Sequence, residues 1–520
     1  MDQLVLFISG ITLAPPLFMA VCVLLAHIRP LDASKLWRDF SILSVAALLS
    51  AFISLFLHIA NSNMSGQALM SLGLKTSQLQ AWVTVLVILL GIVIGIFSAR
   101  YLQGEPRQAN YIAAFSGVLA AVNILLLADH WVILVCAWAL IGVALQHLLC
   151  FYPERPFATL AAHKKQIADR VADALLITAA GLAWLEVGNG SLTAMFQQLS
   201  HAGISMSLHL SALCLVLAVV IRTALFPVHG WLVQVMEAPT PVSALLHAGV
   251  VNLAGFVLIR FAPLLEAAHY ARWLLVVFGL VTAVLAGLVM LTRVSVKVRL
   301  AWSTVAQMGF MILECGLGLY TLAFMHLIGH SLYKAHAFLS ASSIVQQNKI
   351  EQMRDKNAAS TVSLVLAPFI ALAIILAIQE YVMELTWPWW WSAILALAWA
   401  PILWAASRNH RAISRNLLTA AFMIASLTIL AALIHNLPLG TFDMVDTQAG
   451  VFALLGMTVM YLLLVALQLY PANMGVFQRW SYAGFYVDEA YTRLALKLWP
   501  IDWVSADKPH QSVMTDRQAI

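Results

Sequence analysis

Runs of about twenty apolar residues recur along the whole 520-residue chain, each long enough to cross roughly 30 Å of hydrocarbon at about 1.5 Å per helical residue. They lie near 4–27, 40–60, 79–99, 110–128, 131–151, 172–187, 206–228, 241–263, 273–292, 300–320, 322–345, 361–384, 388–406, 416–434 and 449–470, about fifteen in all. Nothing at bilayer depth can satisfy a bare backbone amide except the chain itself, so these runs are expected to fold as helices. The chain reads as an all-α polytopic membrane protein. With 62% hydrophobic and only 10% charged residues, a soluble or a disordered protein is excluded. The hydrophilic stretches 152–171 and 346–360 and the tail after Tyr470 are each too short to bury a core. Residues 1–470 are therefore expected to form one transmembrane domain, and 471–520 an amphipathic tail.

The net charge of +5 does not form a patch that would bind nucleic acid, because the basic residues are spread over alternate loops. Arg29, Lys35, Arg38, Arg100, Arg107, Arg155, Lys164, Lys165, Arg170, Arg293, Lys297, Arg299, Lys349, Arg354, Lys356, Arg408, Arg411 and Arg415 follow odd-numbered spans, whereas the even loops offer only Lys75, Arg260 and Arg272. By the positive-inside rule the odd loops and the C-terminus are cytoplasmic and the N-terminus is periplasmic. The first span has no basic leader region and no cleavage site, so it reads as a true span. Cys22, Cys136, Cys150, Cys214 and Cys315 all fall in apolar segments without paired spacing, so neither disulfides nor a metal site are implied. Phosphate loops and dinucleotide fingerprints are missing, and no cofactor is expected on this chain.

Residues 222–260, RTALFPVHGWLVQVMEAPTPVSALLHAGVVNLAGFVLIR, place ionisable groups inside membrane-length apolar sequence, where they mark an ion path by default. Pro227, Pro239 and Pro241 remove backbone donors and are expected to break the helices there. A second interruption, from Glu380 to Pro388, resembles the first in outline, as the inverted halves of a transporter would. A guanidinium does not deprotonate in proteins, so Arg222, with Glu237 beyond the break, is expected to gate or tune rather than carry protons. His247, with Ser243 one turn before it, suits a step that must both accept and release a proton. His326, His330 and Lys334 recur at intervals of four and stack along one helix face, while His336 points elsewhere. Gln307 and Glu314 are plausible neighbours, with Glu314 able to pair with Lys334, and Glu380 is the candidate next station of the path. The tail, with Trp480, Trp499 and Trp503 among its charges, reads as an interfacial or docking helix.

These residues resemble a known family. Residues 222–260, VKVRLAWSTVAQMGFM at 296–311 and HLIGHSLYKAHAFLSAS at 326–342 are similar to the antiporter-like membrane subunits of respiratory complex I and the Mrp sodium/proton antiporters, and FYVDEAY at 485–491 resembles the subunit L branch. The resemblance implies an antiporter-like fold with inverted repeats. It puts Arg222 where the family usually has its central lysine, His247 after the PTPVSAL break, and Lys334 at the lysine of the eleventh span. Aligning AWALIG at 137–142 puts Ala139 where a glutamate usually pairs with that central lysine, so the carboxylate partner is expected to be lost. The second lysine of the twelfth span is missing too, and the 50 residues after the last span (520 minus 470) are too few for a long lateral helix with its anchor.

In these departures the chain is most similar to the DabB branch of the family. That resemblance implies a subunit of an inorganic carbon transporter in the bacterial inner membrane, itself not an enzyme, in which protons or sodium ions move. The expected partner is DabA, a zinc protein related to β-carbonic anhydrases that hydrates carbon dioxide to bicarbonate. The alternative is a proton-pumping or sodium/proton antiporter subunit of a complex I-like or Mrp-type assembly.

Overall fold

The computed structural model describes residues 2–28, 32–61, 67–341, 360–383, 387–404 and 410–501. Most of the hydrophilic stretch 346–360, the cations Arg29, Lys349, Arg354, Lys356 and Arg408, and Trp503 lie outside them. Every one of the expected apolar runs contains helix. In chain order the helices are α1 (Asp2–Ile28), α2 (Ala33–Ala60), α3 (Gln78–Tyr101), α4 (Gln108–Leu127), α5 (Trp131–Leu149), α6 (Pro156–Val187), α7 (Leu192–Ala202), α8 (Met206–Arg222), α9 (Gly230–Gln234), α10 (Thr240–Ala248), α11 (Leu253–Arg260), α12 (Ala262–Ala267), α13 (His269–Leu291), α14 (Val296–Gly316) and α15 (Tyr320–Leu339). They continue as α16 (Thr361–Ile378), α17 (Trp389–Trp399), α18 (His410–His435), α19 (Thr447–Leu469), α20 (Gly475–Tyr482) and α21 (Val487–Leu498). Among the described residues only two isolated bridges have extended pairing.

Ten of these segments are long and apolar enough to cross a membrane by length and composition, and α8 and Trp389–Leu403 are shorter apolar helices. α6, α14 and α15 are also long but fall outside that set. Each carries charges, and all three contribute to the sites described below. One boundary differs from the sequence reading. The stretch 152–171 is not a loop beyond Arg155: Pro156 opens α6, a 32-residue helix that ends at the left-handed Gly188. Lys164 and Lys165 thereby become buried helix residues rather than loop cations.

The interrupted spans fall where proline demands. α8 stops at Arg222, and Pro227 lies in the irregular turn before α9. Pro239 caps α10 and Pro241 sits in its first turn, where a missing amide costs nothing. The amide of Phe226, freed by the break and buried, donates to Thr282 Oγ1 on α13 at 3.2 Å, so the break is satisfied by protein. The second interruption is a π turn, Gln379–Met383, followed by α17 with Pro388 as its N-cap.

The main core runs from Met19 on α1 to Phe338 on α15, and smaller clusters join α16 to α19. Large apolar side chains such as Phe56, Leu185, Phe369 and Phe422 face outward, as a lipid-facing surface requires. Bilayer lipid is as apolar as leucine, so helices associate through close approach rather than hydrophobic burial. α13 and α14 show this: a Cβ on Gly279 would lie 2.7 Å from the carbonyl oxygen of Gly309, and one on Gly309 would lie 2.9 Å from that of Gly279. Gly309→Val should therefore cost about 1–3 kcal/mol or more through overpacking against rigid backbone, read as a lowered melting temperature in detergent. Gly329→Ala on α15, where an added methyl meets nothing within 4 Å, is the matched control and should change little.

Candidate functional site

Arg222, the last residue of α8, is buried and cannot relieve its charge by deprotonation. Its guanidinium is answered by α6. Nη2 donates to Asp173 Oδ1 in a very short contact, Nη1 donates to the Trp138 carbonyl at 3.0 Å, and Asp169 lies 3.8 Å away. The Trp138 ring also covers the guanidinium, with 5.1 Å to the centroid. Asp169 in turn accepts from Lys165, one helical turn back on α6 and fully inside the protein. The cluster is thus two cations and two carboxylates from α6 and α8, backed by α5. A cavity of about 190 Å³ beside it is lined by Ala139, Gly142, Gln146, Asp169, Arg170 and Asp173. A Cβ on Gly142 would stand 2.8 Å from Asp169 Oδ2, so the small residues of α5 leave room for carboxylates of α6. The expectation that Ala139 leaves the central cation without a partner is corrected. The carboxylates come from the next helix.

The second group lies on α15. Lys334 is buried completely, and its Nζ donates to the Leu300 carbonyl at 3.0 Å and to Ser303 Oγ on α14. His330, one turn away, is buried with neither ring nitrogen hydrogen-bonded to protein among the described residues. It lies between His326 and Lys334 on the same face of α15. His326 stands with its ring centroid 6.0 Å from that of His330, and its Nδ1 is 2.9 Å from Glu314 Oε2. Glu314 pairs with His326 rather than with Lys334. His247, on α10, is fully buried, stacks on Phe338 at 4.5 Å and, among the described residues, has no hydrogen-bond partner for either ring nitrogen. Asn252, in the turn between α10 and α11, donates to Ser331 Oγ at 2.7 Å and so ties the interrupted helix to α15.

Not every sequence candidate joins these groups. Glu380 is exposed on the π turn, and the inward-facing neighbour is Gln379, whose amide donates to Ser392 Oγ at 3.0 Å. Glu237 is exposed, and its backbone carbonyl accepts from Arg155. Gln307 is exposed as well, and His336 points outward as its spacing implied. The sequence reading missed Lys164, Lys165, Asp169 and Asp173, hidden because a charged first half made α6 look like a loop. The i, i+4 spacing of Lys165, Asp169 and Asp173 was the available signal. His229 was passed over too. It sits in the first break, fully buried, stacked on Phe226 at 4.1 Å and 4.9 Å from the Trp302 ring. Among the described residues no group of His, Cys, Asp and Glu is placed to hold a metal ion.

The chain is thus a helical membrane bundle with two interrupted spans, a buried guanidinium–carboxylate cluster and a file of lysine and imidazoles. Residues 128–383 match the family described as NADH:quinone oxidoreductase/Mrp antiporter, TM. Among curated relatives, "Probable inorganic carbon transporter subunit DabB" of Hydrogenovibrio crunogenus is 36% identical, over 89% of this chain and 90% of the relative. "Probable inorganic carbon transporter subunit DabB2" of Halothiobacillus neapolitanus is 35% identical, over 91% of this chain and 90% of the relative. The chain belongs to the DabB family of membrane subunits. NADH-quinone oxidoreductase subunit L of Mycobacterium tuberculosis is 32% identical, but over 54% of this chain and 44% of its own length. The Mrp complex from Dietzia sp. DQ12-45-1b shares the fold, with a TM-score of 0.55 at 21% identity, covering 93% of this chain and 55% of that one. So does a chain of the archaeal membrane-bound sulfane sulfur reductase, with a TM-score of 0.58 at 16% identity, covering 94% and 100%.

Asp173→Asn should lower stability by about 3 kcal/mol, the low end for breaking a buried ion pair because Asp169 remains near the guanidinium. Combining it with Arg222→Gln should recover most of the loss, measured by thermal unfolding of the two single variants and the double variant in detergent.

Proposed function

We propose that this chain is the ion-conducting membrane subunit of an inorganic carbon transporter in a bacterial inner membrane. Protons, or sodium ions, move down their gradient through it, and that flow drives carbon dioxide hydration and bicarbonate accumulation by a DabA-like zinc protein in the same hetero-complex. Catalysis belongs to the partner. The path runs along His247, Lys334, His330, His326 and Glu314, with Arg222 and its carboxylates as the fixed charge that tunes it. The N-terminus faces the periplasm and the C-terminus the cytoplasm, in keeping with where the loop cations lie.

The observation that carries this reading is the burial of Lys334 and His330 in register on α15, with His247 of α10 buried against Phe338 of the same helix. Imidazoles without hydrogen-bond partners and an amine held by one carbonyl and one hydroxyl are costly at membrane depth, and packing alone gives no cause to keep them. Imidazole and amine side chains can each accept a proton and pass it on, which is the chemistry such a path requires. The transport class follows the relatives, which match over about nine-tenths of both chains and bear the inorganic carbon name. Loss of a carboxylate at position 139 no longer separates this from a complex I or Mrp role, since Asp173 replaces it. Coverage supports the carbon transporter over a complex I role, since the subunit L match spans about half of this chain.

Lys334→Ala, made in a strain whose growth in air depends on this complex, should abolish growth in air and spare growth in air enriched with carbon dioxide. Normal growth of the variant in both atmospheres, with the complex assembled, would sink the coupling role.

A further inference from the structure

The C-terminal segment does not lie idle on the membrane face. α21 reaches back to α6 and α9, and its Asp488 enters the protein beside the first helix break. Lys164 Nζ, fully buried on α6, donates to Asp488 Oδ1 at 2.5 Å, to Thr492 Oγ1 at 2.8 Å and to Gln234 Oε1 at 3.2 Å. Gln234, at the end of α9, donates its own amide to Asp488 Oδ2 at 2.9 Å. Tyr491 Oη donates to the Lys164 carbonyl at 3.0 Å, and the tyrosine ring lies 5.1 Å from the ammonium. Further along, the Trp499 carbonyl is 2.9 Å from His163 Nε2. At the other end of the segment, Arg293 sits between the rings of Trp302 and Tyr482.

Two features make this more than a surface contact. Among the described residues Lys164 has no other carboxylate within ion-pair distance, so without Asp488 its ammonium, inside the protein, loses that counter-ion. Gly230, the first residue of α9, is the only kind of residue the site admits, because any Cβ there would coincide with the Asp488 carboxylate. α9 is also held from its other side: the ring of Trp231, next to Gly230, lies 5.9 Å from Lys165 Nζ, and Lys165 belongs to the Arg222 cluster. The short helix after the break is thus clamped between two adjacent lysines of α6, one neutralised by Asp169 from within the bundle and one by Asp488 from the tail.

We propose that Asp488 is a positioning residue of the ion path: as the counter-ion of Lys164 it holds α9 and, through Lys165, the Arg222–Asp169–Asp173 cluster in their conducting arrangement. The C-terminal segment is then a working part of the conduction machinery. This inference rests on the ion-conducting reading above, and its test separates the two.

The test uses the full chain in its native complex, purified and reconstituted in proteoliposomes, with ion flux driven by an imposed proton or sodium gradient. Asp488→Asn and Gly230→Ala remove or displace the carboxylate by different routes. Each is expected to leave the yield of assembled complex on gel filtration close to wild type while lowering flux about tenfold or more, since a buried charge is left unpaired. Asp488→Glu is expected to keep flux within about twofold, because it retains the charge. Lys334→Ala is run alongside. If it abolishes flux while Asp488→Asn and Gly230→Ala both conduct normally, or lose flux only in proportion to lost assembly, the role of Asp488 is overturned and the conduction reading stands. If Lys334→Ala conducts like wild type, the conduction reading falls and this inference with it.

Discussion

A guanidinium cannot give up its proton, so placing Arg222 inside the bundle obliges the surrounding helices to bring it negative charge. α6 meets that demand with Asp169 and Asp173, and Lys165 balances the surplus. The small residues of α5, Ala139 and Gly142, are what let those carboxylates approach. The irregular turn at Pro227 begins directly after this cluster, so the break and the charge are neighbours by construction. Much of the architecture around α5, α6, α8 and α9 is the means by which one permanent cation is kept compensated away from water.

The group on α15 has a different character. There the cation is a lysine, which unlike arginine can give up its proton, and it is held by one carbonyl and one hydroxyl beside an imidazole without a hydrogen-bond partner among the described residues. The interrupted α8–α11 region thus carries the permanent charge on α8 and touches the helix of the variable one through α10. α10 carries His247 toward α15, and α9 lies against the lysines of α6. Conformational or electrostatic change at one site has a short physical route to the other through these half-helices. Broken helices are suited to this because their ends need only a few protein partners, such as Thr282 for the Phe226 amide and Ser331 for Asn252.

Much was legible before any coordinates. The membrane class, the helical runs, the breaks at Pro227, Pro239 and Pro241 and the register of His326, His330 and Lys334 all follow from local rules of hydropathy, proline chemistry and helix periodicity. What stayed hidden is what crosses between helices. Glu380 and Gln307 looked inward by their position in an apolar run, yet face out, because the rotation of a uniformly apolar helix about its own axis leaves no periodic trace in sequence. The same ambiguity made Glu314 a candidate for Lys334 when its partner is His326.

By itself, the sequence determined that this chain must live in a membrane, where its helices must break, and that lysine and histidines share one face of one helix, since each of these depends on residues within a few turns of one another. Only the tertiary structure decided which carboxylate answers which cation. Asp173 meets Arg222 from 49 positions away and Asp488 meets Lys164 from 324 away, pairings set by helix packing over the whole fold, which no local spacing records.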